Sequence, residues 1–488
     1  MSLSVALTTA RQALQTTATQ IAVSGSNIAN ADDPTRSRKL AVPTVDPAGS
    51  SHVQTITRAT NNTILTQYLG ANSNIAASEA LLDSLNRLQD TVGDTADGTS
   101  PAAKIAALGT ALQAYANAPS DASLGQAAVS AAQSVVGTLN SASQTVTAVR
   151  NDADSAMAAS VNKLNSLLAD FQALNQRAVS ETFAGADATD ALDQRDAVLD
   201  QISHEIGVTV LRRDNNDVAL YTDSGVVLFD KTARQVSMTP SSALASGATG
   251  NPVCVDGVPV TGANAPMPIA SGTLAGLATL RDVTAPTYQA QLDEMARGLV
   301  ESFAESDQSG GGGADRAGLF TWSDGPAIPA SATVSAGISA TLKVNPAVVA
   351  AQGGTTSKLR DGGINGASYK YNATGAASYS DRLSGLIDSV NATRTFSSAS
   401  GLDTSFSLAD FAGASVGWLE DQRQSTSNTA DYQSALLTRV STALSNAVGV
   451  NLDDEYAQQL QLEQSYQASS KLITVVNDMF KTLLDAVA

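Results

Sequence analysis

The two ends of this chain carry the same seven-residue apolar spacing, and that limits how everything between them can be arranged. In the C-terminal stretch from Gly449, Leu452, Tyr466, Ile473, Phe480 and Val487 share one register. Leu462, Val476 and Leu483 share a second register, three residues after the first, and Gln459 and Ser469 interrupt the pattern. At the N-terminus Leu7, Leu14, Ile21 and Ile28 are spaced by seven, with Leu3 and Ala10 on the second register. Two such registers form an a/d seam, the mark of a helix that packs along another helix. Either helix alone leaves its stripe in water, and neither is long and apolar enough to span a bilayer. The ends are therefore expected to pair with each other, or with the same ends of neighbouring copies. The plainer alternative is two amphipathic helices in separate cores. Charge favours pairing: Arg11, Arg36, Arg38, Lys39 and Arg58 outnumber the acids of residues 1–60, whereas acids dominate 449–488. Asn451 is placed to cap the C-terminal helix, with Asp453, Asp454 and Glu455 complementing the dipole of its first turn.

Between the ends the pattern reads helix, mixed, helix. The first helix, 1–30, stops at Asn27, Asn30, Asp32, Asp33 and Pro34, and residues 31–60 read as an extended linker. Helix returns over 61–92 with Leu81, Leu85, Leu88 and Val92 on one face, then in a shorter segment with Ile105, Leu108, Leu112 and Tyr115. Residues 122–180 form one long helical run whose stripe includes Met157, Val161, Leu164, Leu168 and Phe171. Unbroken, it approaches about 90 Å, a length that suits a rod-like bundle. A helix from Asp190 to Ile206 follows. The period then becomes two through Val208, Val210, Val218, Leu220, Val226 and Leu228, which predicts a β-meander at about 207–238. Residues 240–272 read as loop with short strands, and helix resumes after Pro286. Residues 307–375, with Gly310 to Gly313 and possible strands near 332–344, read as a small β-rich insert. Further helices are expected around Leu383 to Val390 and from about Ser407 to Ala447.

The expected fold is mainly α with β-rich insertions, an elongated multi-domain rod folded back like a hairpin. Residues 1–60 and 445–488 form a terminal coiled-coil domain. Residues 61–306 and 376–444 form a helical bundle carrying the meander, and 307–375 form the small outer insert. At 488 residues, several domains are in keeping with chain length. Aromatics are only 4% of residues, so close packing rests on small side chains.

The chemistry-bearing residues are sparse. A net charge of −18 disfavours nucleic acid as a partner. Cys254 is the single cysteine, so no intramolecular disulfide forms. Gly310 to Gly313 lead into Ala314 and Asp315, without the Lys and Ser/Thr of a phosphate loop, and His204-Glu205 lacks the second histidine of a zinc helix. Asp187, Asp190, Asp193, Asp196 and Asp200 form a carboxylate row, read as a solvated helix face with Asp190 capping in preference to a cation site. Asp307, Asp315, Asp324 and Asp361 in the insert show no evident pairing. No catalytic, cofactor or metal residues are assigned, and a structural protein is favoured over an enzyme. The N-terminus has no basic n-region, apolar core or cleavage site, which points to the cytoplasm or to export without a cleaved signal.

Three stretches carry a family resemblance. Ser26-Asn27-Ile28-Ala29-Asn30 resembles the N-terminal signature of the axial proteins of the bacterial flagellum, the rod, hook and hook-associated proteins. The run from Gly449 through Tyr466-Gln467-Ala468 to Phe480 resembles their C-terminal domain. Asp190 to Asp196, with Leu199 and Ser203, together with Leu292-Asp293-Glu294-Met295-Ala296 and Gly449 to Glu455, resembles the first hook-associated proteins within that family. One departure is local: Asp32-Asp33-Pro34-Thr35-Arg36 stands where the family usually has Thr-Pro-Gly-Tyr and a basic residue. The resemblance implies a structural subunit at the junction of hook and filament, exported unfolded and extracellular on the flagellum. It implies a ring of about eleven copies, hook protein below, a second junction protein (hook-associated protein 3) above, and a cytoplasmic export chaperone at the C-terminal segment. No membrane, nucleic acid or cofactor enters. Leu7, Leu14, Ile21, Ile28, Leu462, Tyr466, Ile473, Val476, Phe480 and Leu483 are the expected assembly interface. The alternatives are another axial protein (hook protein or flagellin-like), or an enzyme carried on the flagellum with its site in 307–375.

Overall fold

The computed structural model describes residues 3–46, 50–92 and 98–486, so Val487 of the C-terminal register lies outside the described residues. The elements follow one another as a nested hairpin. Helix α1 (Leu3–Ala29) leads into a two-stranded ribbon, β1 (Lys39–Val45) and β2 (Ser51–Arg58). Then come α2 (Asn62–Gln89), α3 (Pro101–Asn117), α4 (Ala122–Phe183) and α5 (Thr189–Glu205). The meander is a four-stranded antiparallel sheet: β3 (Val208–Arg212), β4 (Val218–Thr222), β5 (Val227–Asp230) and β6 (Thr232–Ala233). A smaller sheet, β7 (Val236–Ser237), β8 (Cys254–Val255) and β9 (Val258–Pro259), leads to α6 (Thr273–Thr279) and α7 (Ala285–Ser302). The insert holds β10 (Phe320–Thr321), α8 (Ile338–Thr341), β11 (Lys343–Val344) and α9 (Ser357–Asp361). The chain returns through α10 (Asp381–Asn391), β12 (Arg394–Thr395), β13 (Ser405–Phe406), α11 (Leu408–Val448) and α12 (Leu452–Asp485). Helix α12 packs along α1, α11 along α2, and the middle of the chain gathers on α4.

Helix α4 runs unbroken for 62 residues, about 90 Å at the α-helical rise. Asp121 starts it, its carboxylate accepting from the Ser123 amide. Val135, Leu139, Val146, Met157, Leu164, Leu168 and Phe171 are buried along one stripe, against α3, α5, α6 and α7. The meander docks on the same stripe, where Phe171 meets Phe229 edge-on at 5.2 Å between ring centroids. Close helix packing uses missing side chains. A Cβ added at Gly276 of α6 would sit 2.2 Å from the Ala77 carbonyl of α2, so only glycine permits that crossing.

Three segments differ from the sequence reading. Residues 31–60, read as an extended linker, hold the paired antiparallel strands β1 and β2. Helix begins at Thr273, not after Pro286, because a π-helical segment at Leu280–Thr284 joins α6 to α7. Pro286 lies in the first turn of α7, directly after the π-helical segment. In residues 307–375, the named strands are Phe320–Thr321 paired with Lys343–Val344, with isolated bridges at Glu305–Arg316 and Gly362–Lys370, while 338–341 is helical. What closes this segment is polar. Asp307 accepts from the Ser309 and Gly313 amides, so the glycine run wraps its own carboxylate. Buried Glu305 accepts from the amides of Ile364 and Asn365.

Buried charges hold the loops to the helices. Arg150, 2% exposed, donates to the carbonyls of Arg281, Leu244, Ala245 and Ala248. Asp293 accepts from Ser246 Oγ, the Gly337 amide and Ser339, while Glu294 takes Arg297 and the Ser397 amide. The acids of the Leu292 to Ala296 stretch are thus anchors for two separate loops.

Glu205 pins α5 to α4. It accepts from Ser160 Oγ at 2.5 Å and Lys163 Nζ at 2.7 Å, with His204 Nδ1 at 3.7 Å. Burial pushes this carboxyl up, but the bonds from His204, Lys163 and Ser160 together outweigh burial and bring it down to about 2. Since the folded value lies below the ordinary 4.5, its contribution is fully present above that value and is lost as pH falls towards about 2. The contribution is up to about 3 kcal/mol. A Glu205→Gln variant should therefore melt lower than wild type near neutral pH, and the gap should close as the pH approaches 2. Melting curves across that range measure it; a gap independent of pH would rule out the assignment.

Candidate functional site

The terminal helices pair antiparallel. Ser24, near the end of α1, meets Glu455 near the start of α12, while Leu3 shares an apolar cleft of about 540 Å³ with Val475, Met479 and Leu483. Small and polar residues make up most of the buried line between the helices. On α1 it runs through Ala10, Thr17 and Ser24, all buried and spaced by seven. On α12 the buried positions are Glu455, Ser469 and Val476, with half-buried Leu462 completing the spacing. Ser469, which interrupts the apolar pattern, therefore belongs to the seam, because a small residue lets the backbones approach.

The expected interface residues divide accordingly. Val476 is buried. Leu7, Leu14, Ile21, Ile28, Leu462, Ile473 and Phe480 are half-buried, flanking the line of contact. Tyr466 and Leu483 are exposed, at 40% and 52%. The outward side of α12 also exposes Leu460, Leu472, Val475, Met479 and Leu484. One pair of helices thus covers only part of the apolar surface that the two registers carry.

Where the pair meets the rest of the chain, a polar knot closes it. Glu455 is 1% exposed. Its carboxylate accepts from Ser24 Oγ at 2.7 Å, Asn27 Nδ2 at 3.2 Å and Arg38 Nε at 2.7 Å. Glu455 is therefore more than a dipole complement in a first turn. Asn451 does cap α12, accepting from the amides of Asp453 and Asp454. Asn27 also bonds both the amide and the carbonyl of Lys39, so it closes the edge of β1 as a strand would. The Arg38 amide donates to the carbonyl of Val448 at 2.8 Å, so both linkers cross at this point.

Next to the knot, the carboxylate row of α5 grips the β1–β2 ribbon. Asp193, 2% exposed, accepts from Ser37 Oγ at 2.6 Å and Arg58 at 2.9 Å. Asp196 takes the other arm of Arg58 at 2.6 Å. Asp190 binds Arg36 and Lys39, both at 2.5 Å, and the Lys39 bond is the main cause that lowers its carboxyl. Burial pulls the Arg58 guanidinium down, yet Asp196 and Asp193 more than restore it, so it stays charged. Arg195 turns the other way, to Asn175 and the Asn216 carbonyl, and burial lowers it to about 10. The row is thus a clamp, not the solvated face read from its spacing. The turn before α5 is held by Asp187, which accepts from the amide and hydroxyl of Thr189, so Asp190 is not the cap. The sequence signal for the clamp was the matching set of bases in 36–58, which spacing along one helix does not reveal.

Comparisons with known proteins find related sequences and a shared fold. A family model described as "Flagellar hook-associated protein FlgK helical domain" matches residues 85–319, and "Flagellar basal body rod FlgEFG protein C-terminal" matches 443–486. The chain is similar to "Flagellar hook-associated protein 1" of Bacillus subtilis (strain 168), 21% identical over 98% of this chain and 97% of that protein. It is similar to the protein of the same title from Escherichia coli (strain K12), 26% identical over 41% of this chain and 37% of that protein. The match to the Salmonella typhimurium protein of that title is 23% identical over 52% of this chain, and spans 45% of that protein. Among solved structures, "The structure of the flagellar hook junction protein FlgK from Burkholderia pseudomallei" shares the fold, with a TM-score of 0.56 and 16% identity. That alignment covers 78% of this chain and 99% of the other.

The clamp predicts a graded response to mutation. Asp193→Ala leaves the Arg58 charge half-paired in a buried place and should cost about 3–5 kcal/mol. Asp190→Ala, at a half-exposed pair, should cost about 1 kcal/mol or less. Thermal unfolding measures both, and the Asp193 variant should also be cut faster by protease within 31–60. Equal, small losses at the two sites would show that the clamp does not hold the ribbon.

Proposed function

This chain belongs to the flagellar hook-associated protein FlgK family, a structural component of the flagellum, and on that footing we propose that it is a subunit of the junction between hook and filament. The observation that carries the reading is the half-covered seam: α1 and α12 bury a narrow line and leave apolar side chains outside it. Packed side by side, copies would cover those residues, and a rotation repeated from copy to copy closes a ring or continues a helix. In this reading the ring has about eleven copies, with hook protein below and a second junction protein, hook-associated protein 3, above. The chaperone would hold the same outward face of α12 before export without a cleaved signal. The protein would act by binding, not by catalysis. No helix among the described residues is long and apolar enough to cross a membrane, which accords with a place on the extracellular flagellum.

Two measurements test the assembly mode. In the antiparallel register, the pairs Leu7→Cys with Ile473→Cys and Leu14→Cys with Tyr466→Cys should crosslink in flagella, whereas Leu7→Cys with Leu462→Cys should not. Absence of crosslinks at every register would remove the pairing. Ile473→Ala with Phe480→Ala removes side chains that are half-buried in the single chain and whose full burial between copies would be worth roughly 2–5 kcal/mol each. The double variant should be secreted with its central unfolding transition intact, yet fail to join the flagellum, and filament subunits should be shed into the medium. Retention in the cytoplasm would assign these residues to the chaperone, and normal motility would refute an assembly role.

A further inference from the structure

The ribbon has one closed edge and one open edge, and the open one borders a groove. The Ala59 amide donates to the Arg38 carbonyl, which fixes the alternation of the β1–β2 ladder: Thr57 and Thr55 face β1, and Arg58 and Ile56 turn their backbone groups away. The opposite strand confirms the phase, because the outward amide and carbonyl of Lys39 are those that Asn27 bonds. Beyond the bulge at Val42 and Pro43, the Asp46–Ser50 bond turns Ser51 and Val53 outward. Thr16 Oγ1 covers the Ser51 carbonyl at 2.8 Å. Among the described residues, nothing bonds the amides of Val53, Ile56 and Arg58. Two adjoining clefts, of about 400 and 480 Å³, run along this side of β2, with Gly185 and Ala186 opposite the strand. A two-stranded ribbon is marginal by itself, and an open edge is a template for a further strand.

The far end of the groove is cationic. It is lined by Arg58, Arg195, Arg212 and Arg213, with Asp217 the acid among its walls. Arg58 is engaged by Asp193 and Asp196, and Arg213 by Asp217 and Asp230. Arg195 bonds only neutral acceptors. Arg212 forms no ion pair or hydrogen bond among the described residues, and Asp196, whose charge reaches it, is already bonded to Arg58. At this end of the groove neither Arg195 nor Arg212 forms an ion pair with a carboxylate among the described residues.

We propose that the open edge of β2 and its arginine end receive an extended, carboxylate-bearing segment of a neighbouring copy of this chain. The segment would bond the outward groups of Val53, Ile56 and Arg58 and set an acid against the exposed Arg212. A second copy is the occupant for two reasons. Acidic copies packed closely repel one another unless acids meet bases at their contacts. The near wall of the groove is also α1 itself, through Gln12, Thr16 and Thr19, so a copy packed beside the terminal helices lies over it. The proposal rests on the assembly reading above and adds to it a specific contact outside the helical seam.

The test uses the full chain in cells lacking the native copy. Arg212→Glu should reduce incorporation into flagella at least tenfold, while Arg212→Lys retains most of it and secretion of both is normal. Because Arg212 has no partner within the protomer, both variants should melt as wild type does, which separates docking from folding. A photo-crosslinking residue at Thr55 should give an adduct of twice the chain mass. An adduct with hook protein or another axial protein, or no adduct, would overturn the proposal, as would normal incorporation of Arg212→Glu. The Ile473→Ala/Phe480→Ala variant runs in parallel. If it fails to assemble while Arg212→Glu assembles normally, the groove is refuted and the helical seam stands. If both assemble normally, the assembly reading falls with it.

Discussion

A buried carboxylate decides where the two ends of this chain must be. Glu455 is almost fully out of water, and an unpaired charge there would be untenable. Its three partners, Ser24, Asn27 and Arg38, all come from the opposite end of the sequence. The cost of desolvation is offset only when all three arrive together, so the knot is satisfied in one register of α1 against α12 and in few others. The apolar registers favour pairing in general, while the knot selects one alignment. A buried polar network of this kind serves specificity more than stability.

The same logic extends inward from the knot. Arg38 and Val448 tie the two linkers together, and Arg58 carries the ribbon onto α5 through Asp193 and Asp196. Arg195 then passes the connection to α4 and the first turn of the meander. Terminal pair, ribbon and bundle are therefore linked by charges placed a few residues apart along 190–196. The apolar core lies elsewhere, on the long stripe of α4. A division results: apolar burial on α4 supports the bundle, while the waist between bundle and terminal pair is held by ion pairs.

The proposed assembly role rests on what the single chain leaves uncovered. The seam is narrow because Ala10, Thr17, Ser24 and Ser469 are small or polar, and the large residues beside them are only half shielded. Leu460, Leu472 and Leu484 stay exposed, and exposed apolar patches mark interaction surfaces. Here the surplus apolar surface on α12 and the open edge of β2 lie on the terminal part of the molecule, while the buried networks around Asp293, Glu294 and Arg150 complete the middle internally.

The sequence by itself determined the long helices, their order and their apolar faces, because each depends on local period; α6, α8 and the strands β1 and β2 were not read from it. The bounds of α4 and α11, the meander with its turns near Asp214 and Ser224, and the flagellar family were legible from residues close together in the chain. What it could not determine was the partner of each charge. Asp193 and Asp196 read as solvated because helical spacing says nothing of Arg58, more than a hundred residues away. Glu455 read as a dipole complement because its true partners lie at the other end of the chain. Ser469 read as an interruption because the value of a small residue appears only when a second backbone lies against it. Only the tertiary structure decided these, since the energy of a buried charge or a close helix approach is a property of two segments brought together, and neither segment carries that information alone.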